Sequence, residues 1–434
     1  MIIISLSLVW RLTGCGIFPS PQFVLLFSYF SYIYLGYLLM LGDPTYNSIA
    51  EFGAVGVLIR LGYAAIFLAS LATSFIRSTL YYQYLGAVNM NSPVPARLFY
   101  SVLALAMIMV AAIYIYLMPA NPLKAMLTDS SSVTYARQAV TTDMKNFGVF
   151  SNVFYYFMPL VWLSLYFIGR NHLWFVLLVV NLIVVLATGQ KAPIVYIIAM
   201  FTLAHGLRKG KFSYKFAFSV GVLVLFLLVM LVFLKNFNFY SGVSVDALLA
   251  SVRGLIKRIF YVGPITLLNY YQTFPNYHPF LSEVVTSIPS DQIVYSHIYG
   301  DQYRGTVNTV SLGLFYAWSG SVVFSAFLMF LFSVCVFSIP VFFRYLIPDP
   351  ALLKSVYVTY CFLMVKFVLT DWRTLVPIFI LSFLVVSGLN HIWFHLVQGA
   401  VKGNFYIRGN AFAILIALLA LSYFTQGQLR ILLG

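Results

Sequence analysis

Charged residues are scarce in this sequence, and acidic residues are the scarcest of them. Asp, Glu, Lys and Arg together make up 8% of the 434 residues, and only 10 residues are acidic. Soluble domains average about 25% charged residues, because charged side chains keep the surface hydrated. So little charge excludes a soluble globular enzyme of this size. It also excludes a disordered chain, which needs charge and polarity to stay unfolded.

Cysteine and the common enzyme motifs are also missing or rare. The 3 cysteines, Cys15, Cys335 and Cys361, lie in apolar stretches, which excludes a disulfide framework and a zinc cluster. There is no Walker loop, no dinucleotide fingerprint, and neither an HExxH nor a GxSxG signature. His391 and His395 have metal-ligand spacing, but no third ligand lies near them, so we interpret them as interfacial aromatic residues. The sequence therefore predicts no metal site and no cofactor.

Apolar residues are abundant, at 62% of the chain with a mean hydropathy of +0.94. Apolar stretches of about 16 to 23 residues are long enough to cross a hydrocarbon core roughly 30 Å thick as helices. They lack the alternation of membrane β-strands. The predicted fold is an all-α polytopic membrane protein, one integral membrane domain over residues 1–434. The twelve predicted spans are 1–18, 22–41, 53–75, 98–118, 150–168, 173–188, 192–206, 216–234, 312–339, 355–370, 374–394 and 410–425.

The distribution of charge predicts the topology. Eleven basic residues and a single acid, Asp349, lie in one set of short loops, while the other nine acids belong to the opposite set. The positive-inside rule places the basic set in the cytoplasm and the opposite set outside, in the periplasm of a bacterial inner membrane. Both termini then lie outside. Because the net charge of +15 follows from this topology, nucleic acid is not predicted as a partner.

Two long loops, 119–149 and 235–308, lie on the predicted periplasmic side. Loops of this length are usually functional. The second contains SVDALLASVRGLIKRIF at 244–260, where basic residues share one helix face and apolar residues occupy most of the rest. This pattern predicts an amphipathic helix lying on the outer surface of the lipid bilayer.

Five charged residues lie within or beside the outer half of the predicted spans. Charge inside a membrane is costly, so it normally faces a cavity or pairs with another group. Local ion pairs, such as that of Asp371 with Arg373 or Lys366, would explain them equally well, as would snorkelling of Lys366 to the interface. The five residues are Arg60, Lys191, Lys366, Asp371 and Arg373.

The long loops also combine basic and aromatic residues. They hold eight basic residues against six acids, an excess suited to a phosphate or diphosphate, whose oxygens arginine binds bidentately. Tyrosines and Trp318 suit stacking on sugars, although an interfacial aromatic belt would enrich the same residue types. The loop cations that we expect to matter most are Arg137, Arg253, Lys257 and Arg304.

Four features of this layout form a pattern along the chain. The first long loop carries an arginine and a glycine separated by ten residues, Arg137 and Gly148. A tight outer turn, TGQKAP, has Lys191 at the basic position. The second long loop ends in VSLGLFYAWSG, at 310–320, and a late outer turn, TDWRT, contains Arg373. Together the four features, over about residues 98 to 394, resemble the O-antigen polymerase family, also called oligosaccharide repeat unit polymerases.

The sequence departs from the family pattern at three points. Leu314 stands where many relatives have Glu, and Lys191 replaces the usual Arg. In the second long loop Arg253 is followed by Gly263 one residue earlier than the pattern requires. These departures concern the roles of single residues more than the family assignment.

The resemblance implies a membrane glycosyltransferase. Its donor and acceptor would be oligosaccharide repeat units linked to undecaprenyl diphosphate, and a chain-length regulator would be a further partner. Such an enzyme transfers the growing glycan from its carrier to a new unit on the periplasmic face. The residues expected to act fall into three groups: Asp301 and His297 as candidate general bases; Arg137, Lys191, Arg253, Lys257, Arg304 and Arg373 as diphosphate-binding residues; and Tyr303, Tyr316 and Trp318 as glycan-binding residues.

Three other functions remain open at this stage. An O-antigen ligase shares the layout but typically has a histidine shortly before the final glycine-rich segment. Here the nearest, His297, lies about sixteen residues before Gly313. A lipid-linked oligosaccharide flippase or other transporter would have short loops and symmetric halves. A chain-length scaffold would have two spans around a large soluble domain. The long outer loops favour the polymerase over all three.

Overall fold

The computed structural model confirms the all-α class for the part of the chain that it describes. Every regular element in those residues is helical, and no β-strand is present among them. The residues described are 2–13, 19–74, 94–122, 125, 135–136, 139–140, 147–169, 172–188, 192–209, 213–236, 245–274, 290–300, 310–347, 349–369, 380 and 382–390.

Six helices in these residues are long and apolar enough to cross a membrane. They are α2 (Pro21–Leu41), α3 (Phe52–Ser74), α4 (Val94–Tyr116), α5 (Phe147–Asn152, the π-helical turn Val153–Phe157 and Met158–Ile168), α13 (Val322–Leu346) and α14 (Pro350–Leu369).

Further helices complete the described part of the chain. They are α1 (Ile2–Thr13), α6 (Leu173–Ala187), α7 (Ala192–Lys209), α8 (Tyr214–Asn236), α9 (Val245–Phe260), α10 (Val262–Thr273), α11 (Ser290–Tyr299) and α12 (Ser311–Ser319). Helices α1 and α6 are apolar but shorter than the six spans, and α8 begins with a short apolar stretch.

Helix α14 is the centre of the bundle. It packs against α2, α5 and α7, while α3 and α13 pack along one another. Nearly every side chain of α14 is buried, and the helix is less apolar than the more exposed spans α4 and α13. A span enclosed by other spans can carry polar groups that lipid would not tolerate. This enclosure explains how α14 can contain two lysines.

Two predicted spans, the ninth and the tenth, differ from the helices observed. The ninth span, 312–339, is wrong as a single helix. Gly320 adopts a left-handed conformation (φ 65°) that ends α12, and Ser321 caps the N-terminus of α13. A glycine with positive φ is a common helix terminator, because it lacks the Cβ that makes this conformation costly. The tenth span begins early, at Pro350. Residues 14–18 of the first span, the turn before the eleventh span, residues 374–379, 381 and 391–394 of the eleventh, and the whole twelfth span lie outside the described residues.

The second long loop is largely helical where the structure describes it. The amphipathic helix predicted at 244–260 is observed as α9, and α10 and α11 follow it. Two glycines bring this segment onto α2. A Cβ at Gly36 would lie 1.8 Å from the Phe260 carbonyl oxygen, and one at Gly263 would lie 2.9 Å from the Tyr32 carbonyl oxygen. The α9–α10 junction is therefore in backbone contact with α2.

Candidate functional site

A buried lysine surrounded by tyrosines lies near the C-terminal end of α14. Lys366 is 9% exposed, and its Nζ donates a hydrogen bond to the Tyr156 hydroxyl at 3.0 Å. The same Nζ lies 4.7 Å from the ring centroid of Tyr156, 5.1 Å from that of Tyr196 and 5.4 Å from that of Tyr155. All three distances are within cation–π range. Snorkelling therefore does not account for Lys366, since its ammonium is held inside the bundle.

The π-helical turn of α5 presents Tyr155 and Tyr156 side by side to Lys366. Such a turn disrupts the regular hydrogen bonding of a helix and is frequent at functional sites. The Phe154 carbonyl in this turn accepts a hydrogen bond from Nδ2 of Asn181 at 2.9 Å. The Asn181 Oδ1 in turn accepts one from Nε1 of Trp162 at 3.3 Å. Asn181 is fully buried, so α6 supports the irregular turn from behind.

Tyr196 and Phe362 extend the aromatic wall of the site. The Tyr196 ring packs against Phe362, one turn before Lys366 on α14, with centroids 4.5 Å apart. Helix α2, which also packs against α14, contains a second π-helical turn, Phe30–Tyr34. Two of the helices that pack against α14, α2 and α5, thus contain a π-helical turn. We call Lys366, Tyr155, Tyr156 and Tyr196 the Lys366 site.

Helix α12, which carries the segment resembling the polymerases, is attached to the same end of α14. The Ser311 hydroxyl donates a hydrogen bond to the carbonyl of Phe367, the residue next to Lys366. Gly313 packs against the Tyr270 ring, where a Cβ would lie 3.0 Å from ring atoms. The small residues of the motif VSLG therefore allow α12 to lie close to its neighbours.

The two predicted glycan-binding residues of α12 are placed as follows. Tyr316 is buried, and its ring stacks on Tyr271 with centroids 5.0 Å apart and an interplanar angle of 17°. Trp318 is half-buried and meets Phe315 edge-on at 6.0 Å. Both residues belong to the aromatic packing between α10, α12 and α13.

Three other predicted site residues lie on the helices of the second long loop. Arg253 and Lys257 are exposed on α9, which packs against α8, α10 and the C-terminal half of α2. His297 is exposed in the last turn of α11, which packs against α10 and α12. The proposed base thus belongs to a helix next to the motif segment.

The remaining predicted site residues lie outside the described part of the chain. The predicted convergence of four basic residues on one ligand therefore stays a prediction, as does pairing of Asp371 with Lys366. The residues are Arg137, Lys191, Arg304, Arg373, Asp301 and Tyr303.

Sequence reasoning singled out Lys366 but missed the tyrosines around it. Tyr155 and Tyr156 stand in the run VFYYF, and Tyr196 lies three residues after the end of the basic turn TGQKAP. Both patterns look like an interfacial aromatic belt. The sequence did offer one indication that these tyrosines lie near Lys366. All of them fall near the predicted outer ends of spans, and alternating topology brings those ends to the same side of the membrane.

The site combines a buried ammonium with aromatic faces and hydroxyls. Such a set can hold an anion through charge and hydrogen bonds while its rings contact apolar or C–H surfaces. Among the described residues, no group of three or more His, Cys, Asp and Glu side chains is placed to hold a metal ion.

Compared with protein-family models, with curated proteins and with solved structures, the chain gives no significant match.

Proposed function

We propose that this chain is a polysaccharide polymerase of the bacterial inner membrane. It joins oligosaccharide repeat units carried on undecaprenyl diphosphate into an O-antigen or a related surface polysaccharide. The acting face is the periplasmic side of the membrane. Its substrates are two lipid-linked oligosaccharides, one serving as donor and the other as acceptor.

One observation carries this proposal: the segment that resembles the polymerases is joined to a buried cation. Ser311, the second residue of the VSLGLFYAWSG segment, donates a hydrogen bond to the carbonyl of Phe367, the residue next to Lys366. The topology predicted from loop charge puts this end of α14 on the outer side. A polymerase that uses lipid-diphosphate donors needs cationic groups at this depth, because the diphosphate gains negative charge as it leaves.

The reaction requires a nucleophile, an electrophile and a leaving group. A hydroxyl of the acceptor's non-reducing sugar attacks the anomeric carbon of the donor glycan. The new glycosidic C–O bond forms as the anomeric carbon–phosphate oxygen bond breaks, and the lipid diphosphate leaves with that electron pair. The acceptor's hydroxyl proton passes to a general base, for which His297 and Asp301 are the candidates.

The roles of the other residues follow from their chemistry. Arg137, Lys191, Arg253, Lys257, Arg304 and Arg373 stabilise the diphosphate as its charge grows. Tyr303, Tyr316 and Trp318 contact the glycan. Arg253 and Lys257 of α9 are exposed, as contact with a membrane-anchored headgroup requires.

The test is a gene deletion with complementation. Cells lacking the gene should carry a surface lipid with a single repeat unit and no polymer, and the wild-type gene should restore the polymer. Loss of every repeat unit from the surface, with the ligation machinery intact, would instead identify a flippase or a ligase. Unchanged polymer in the deletion strain would contradict the proposal.

A further inference from the structure

We propose that Lys366 and Tyr156 bind a phosphate group of the lipid diphosphate inside the helix bundle. This inference rests on the proposed function for the identity of the lipid. It adds two residues that the sequence motifs do not include. It also places the headgroup at the level of a membrane span rather than among the loop cations alone.

The first argument is the balance of charge. Transferring an ammonium into a low-dielectric interior is unfavourable even after relaxation. Three aromatic faces within 5.4 Å of Nζ offset part of this cost through cation–π attraction. Among the described residues, the structure shows no carboxylate paired with Lys366. An anion supplied by a ligand would complete the compensation.

The second argument is the count of hydrogen-bond donors. A lysine ammonium has three N–H donors, and in the described residues one of them is used, by the Tyr156 hydroxyl. Because that hydroxyl accepts from Lys366, its own hydrogen remains available to donate. The pair can therefore present up to three donors to one ligand. Phosphate oxygens, which accept several hydrogen bonds at once, match this arrangement.

The third argument is the apolar character of the surroundings. The rings of Tyr155, Tyr156 and Tyr196 line the cation, and Phe362 packs behind Tyr196. A free inorganic anion would leave water for this environment at high cost. A phosphate joined to a prenyl chain brings its own apolar surface, so a lipid is the ligand that fits both the charge and the rings.

A second buried lysine on the same helix provides a matched control. Lys354 is 4% exposed and lies on α14 three turns before Lys366. Among the described residues, its Nζ has one aromatic neighbour, Phe167, with 6.0 Å to the ring centroid. Replacing either lysine by Met removes a buried charge from α14, but within the described part of the chain tyrosine rings surround Lys366 and not Lys354.

The experiment measures the binding of farnesyl diphosphate to the purified full-length protein in lipid nanodiscs. Farnesol and inorganic pyrophosphate serve as comparison probes. Four proteins are compared: wild type, Lys366→Met, Tyr156→Phe and Lys354→Met. We expect the wild type to bind farnesyl diphosphate saturably. The affinity of Lys366→Met should be lower by about tenfold or more, as expected for the loss of one charge-assisted contact. The affinity of Tyr156→Phe should be lower by a few-fold, and that of Lys354→Met should be unchanged.

Several results would overturn the inference. One is equal affinity of the wild type and both site variants for farnesyl diphosphate, and another is an equal loss in Lys354→Met. Farnesol binding as tightly as farnesyl diphosphate would show that the phosphates are not recognised. Pyrophosphate binding as tightly would show that the prenyl chain contributes nothing. If Lys366→Met does not fold, Tyr156→Phe decides, because it removes a single hydroxyl.

The two proposals fail separately. If the deletion strain has the predicted single-unit phenotype while Lys366→Met binds the probe normally, the site is wrong and the function stands. If the binding differences are observed but polymer formation does not depend on the gene, the Lys366 site is a lipid-phosphate site in a protein of another function.

Discussion

At the scale of single residues, Asp349 is the clearest determinant of stability in the described part of the chain. Its carboxylate accepts hydrogen bonds from the Tyr100 hydroxyl at 2.6 Å and from the Ala351 amide at 3.0 Å. The second contact caps the N-terminus of α14, and the first ties α4 to it. A residue predicted only as a cytoplasmic loop acid thus joins two spans.

Replacing Asp349 with Ala should lower the free energy of unfolding by roughly 2 to 4 kcal/mol. About 1 kcal/mol comes from the lost helix cap, and the rest from the buried Tyr100 hydroxyl, which loses its carboxylate partner. Thermal unfolding in detergent would measure this as a lower melting temperature. The control is Asp43→Ala, which removes a similar cap bond to the Thr45 amide (3.0 Å) in an exposed four-residue helix. Equal shifts in the two variants would contradict the account.

Asn181 is a positioning residue for the Lys366 site. Asn181→Leu keeps the branched shape of the side chain but leaves the Trp162 indole N–H and the Phe154 carbonyl without this partner, which costs about 1 to 3 kcal/mol for each group. We expect a lower melting temperature and weaker binding of farnesyl diphosphate, because the π-helical turn carrying Tyr156 loses its support. Thr202→Val on α7 is the control, since it removes only a hydrogen bond within its own helix, to Ile198. Binding unchanged in Asn181→Leu would show that the turn needs no such support.

At the scale of elements, the contact of α9 and α10 with α2 connects the second long loop to the bundle. Gly263 abuts Tyr32 in the π-helical turn of α2, and α2 also packs against α14, the helix that carries Lys366. Helix α9 exposes Leu249, Ile256 and its basic residues, as expected for a helix at a membrane surface. The surface helix and the buried site therefore share one helix, α2, as their common neighbour.

Gly36→Ala should separate α9 from α2, because its Cβ would lie 1.8 Å from the Phe260 backbone oxygen, which cannot move without the helix. We expect a lower melting temperature and faster proteolysis within 235–308. Gly254→Ala in α9 is the control, since nothing lies within 4 Å of a Cβ there. That change should be neutral or stabilising by up to about 1 kcal/mol, through higher helix propensity. Gly36→Ala behaving like Gly254→Ala would refute the close approach.

At the scale of the whole molecule, the contacts pair the ends of helices in the way that alternating topology requires. Lys366, near the end of α14, meets Tyr156, near the start of α5. At the opposite end, Ser355 of α14 meets Ser164 of α5 at 3.0 Å. The two helices are therefore antiparallel. Which of these ends faces the cytoplasm is predicted from loop charge.

Cysteine accessibility tests that orientation. In a variant whose three native cysteines are replaced by Ser, single cysteines are introduced at two exposed positions, Ser48 and Ser213. Since basic residues flank Ser213, an impermeant maleimide added to intact cells should label Ser48→Cys and not Ser213→Cys. After lysis both should react, which controls for exposure. Labelling of Ser213→Cys in intact cells would show that the predicted orientation is wrong and that this segment faces outward.

The sequence by itself determined the helical membrane class, the positions of most described spans and the amphipathic helix α9. These features depend on hydropathy and on residue periodicity, which are local properties. It also marked Lys366, because a cation within an apolar run stands out without knowledge of its neighbours. The break at Gly320 was missed, since the apolar run continues across it and only the backbone conformation ends the helix.

The tertiary structure decided what surrounds Lys366. Its hydrogen-bond partner is 210 residues away in the chain, and Tyr196 belongs to a third span. The π-helical turns that present Tyr155, Tyr156 and Tyr32 leave no local mark in the sequence, because their irregular backbone is stabilised by other helices, as Asn181 stabilises Phe154. The close approaches at Gly36 and Gly263 likewise depend on helices distant in the chain. Such a site exists only when several spans pack together, and packing between spans is the property that composition and periodicity do not encode.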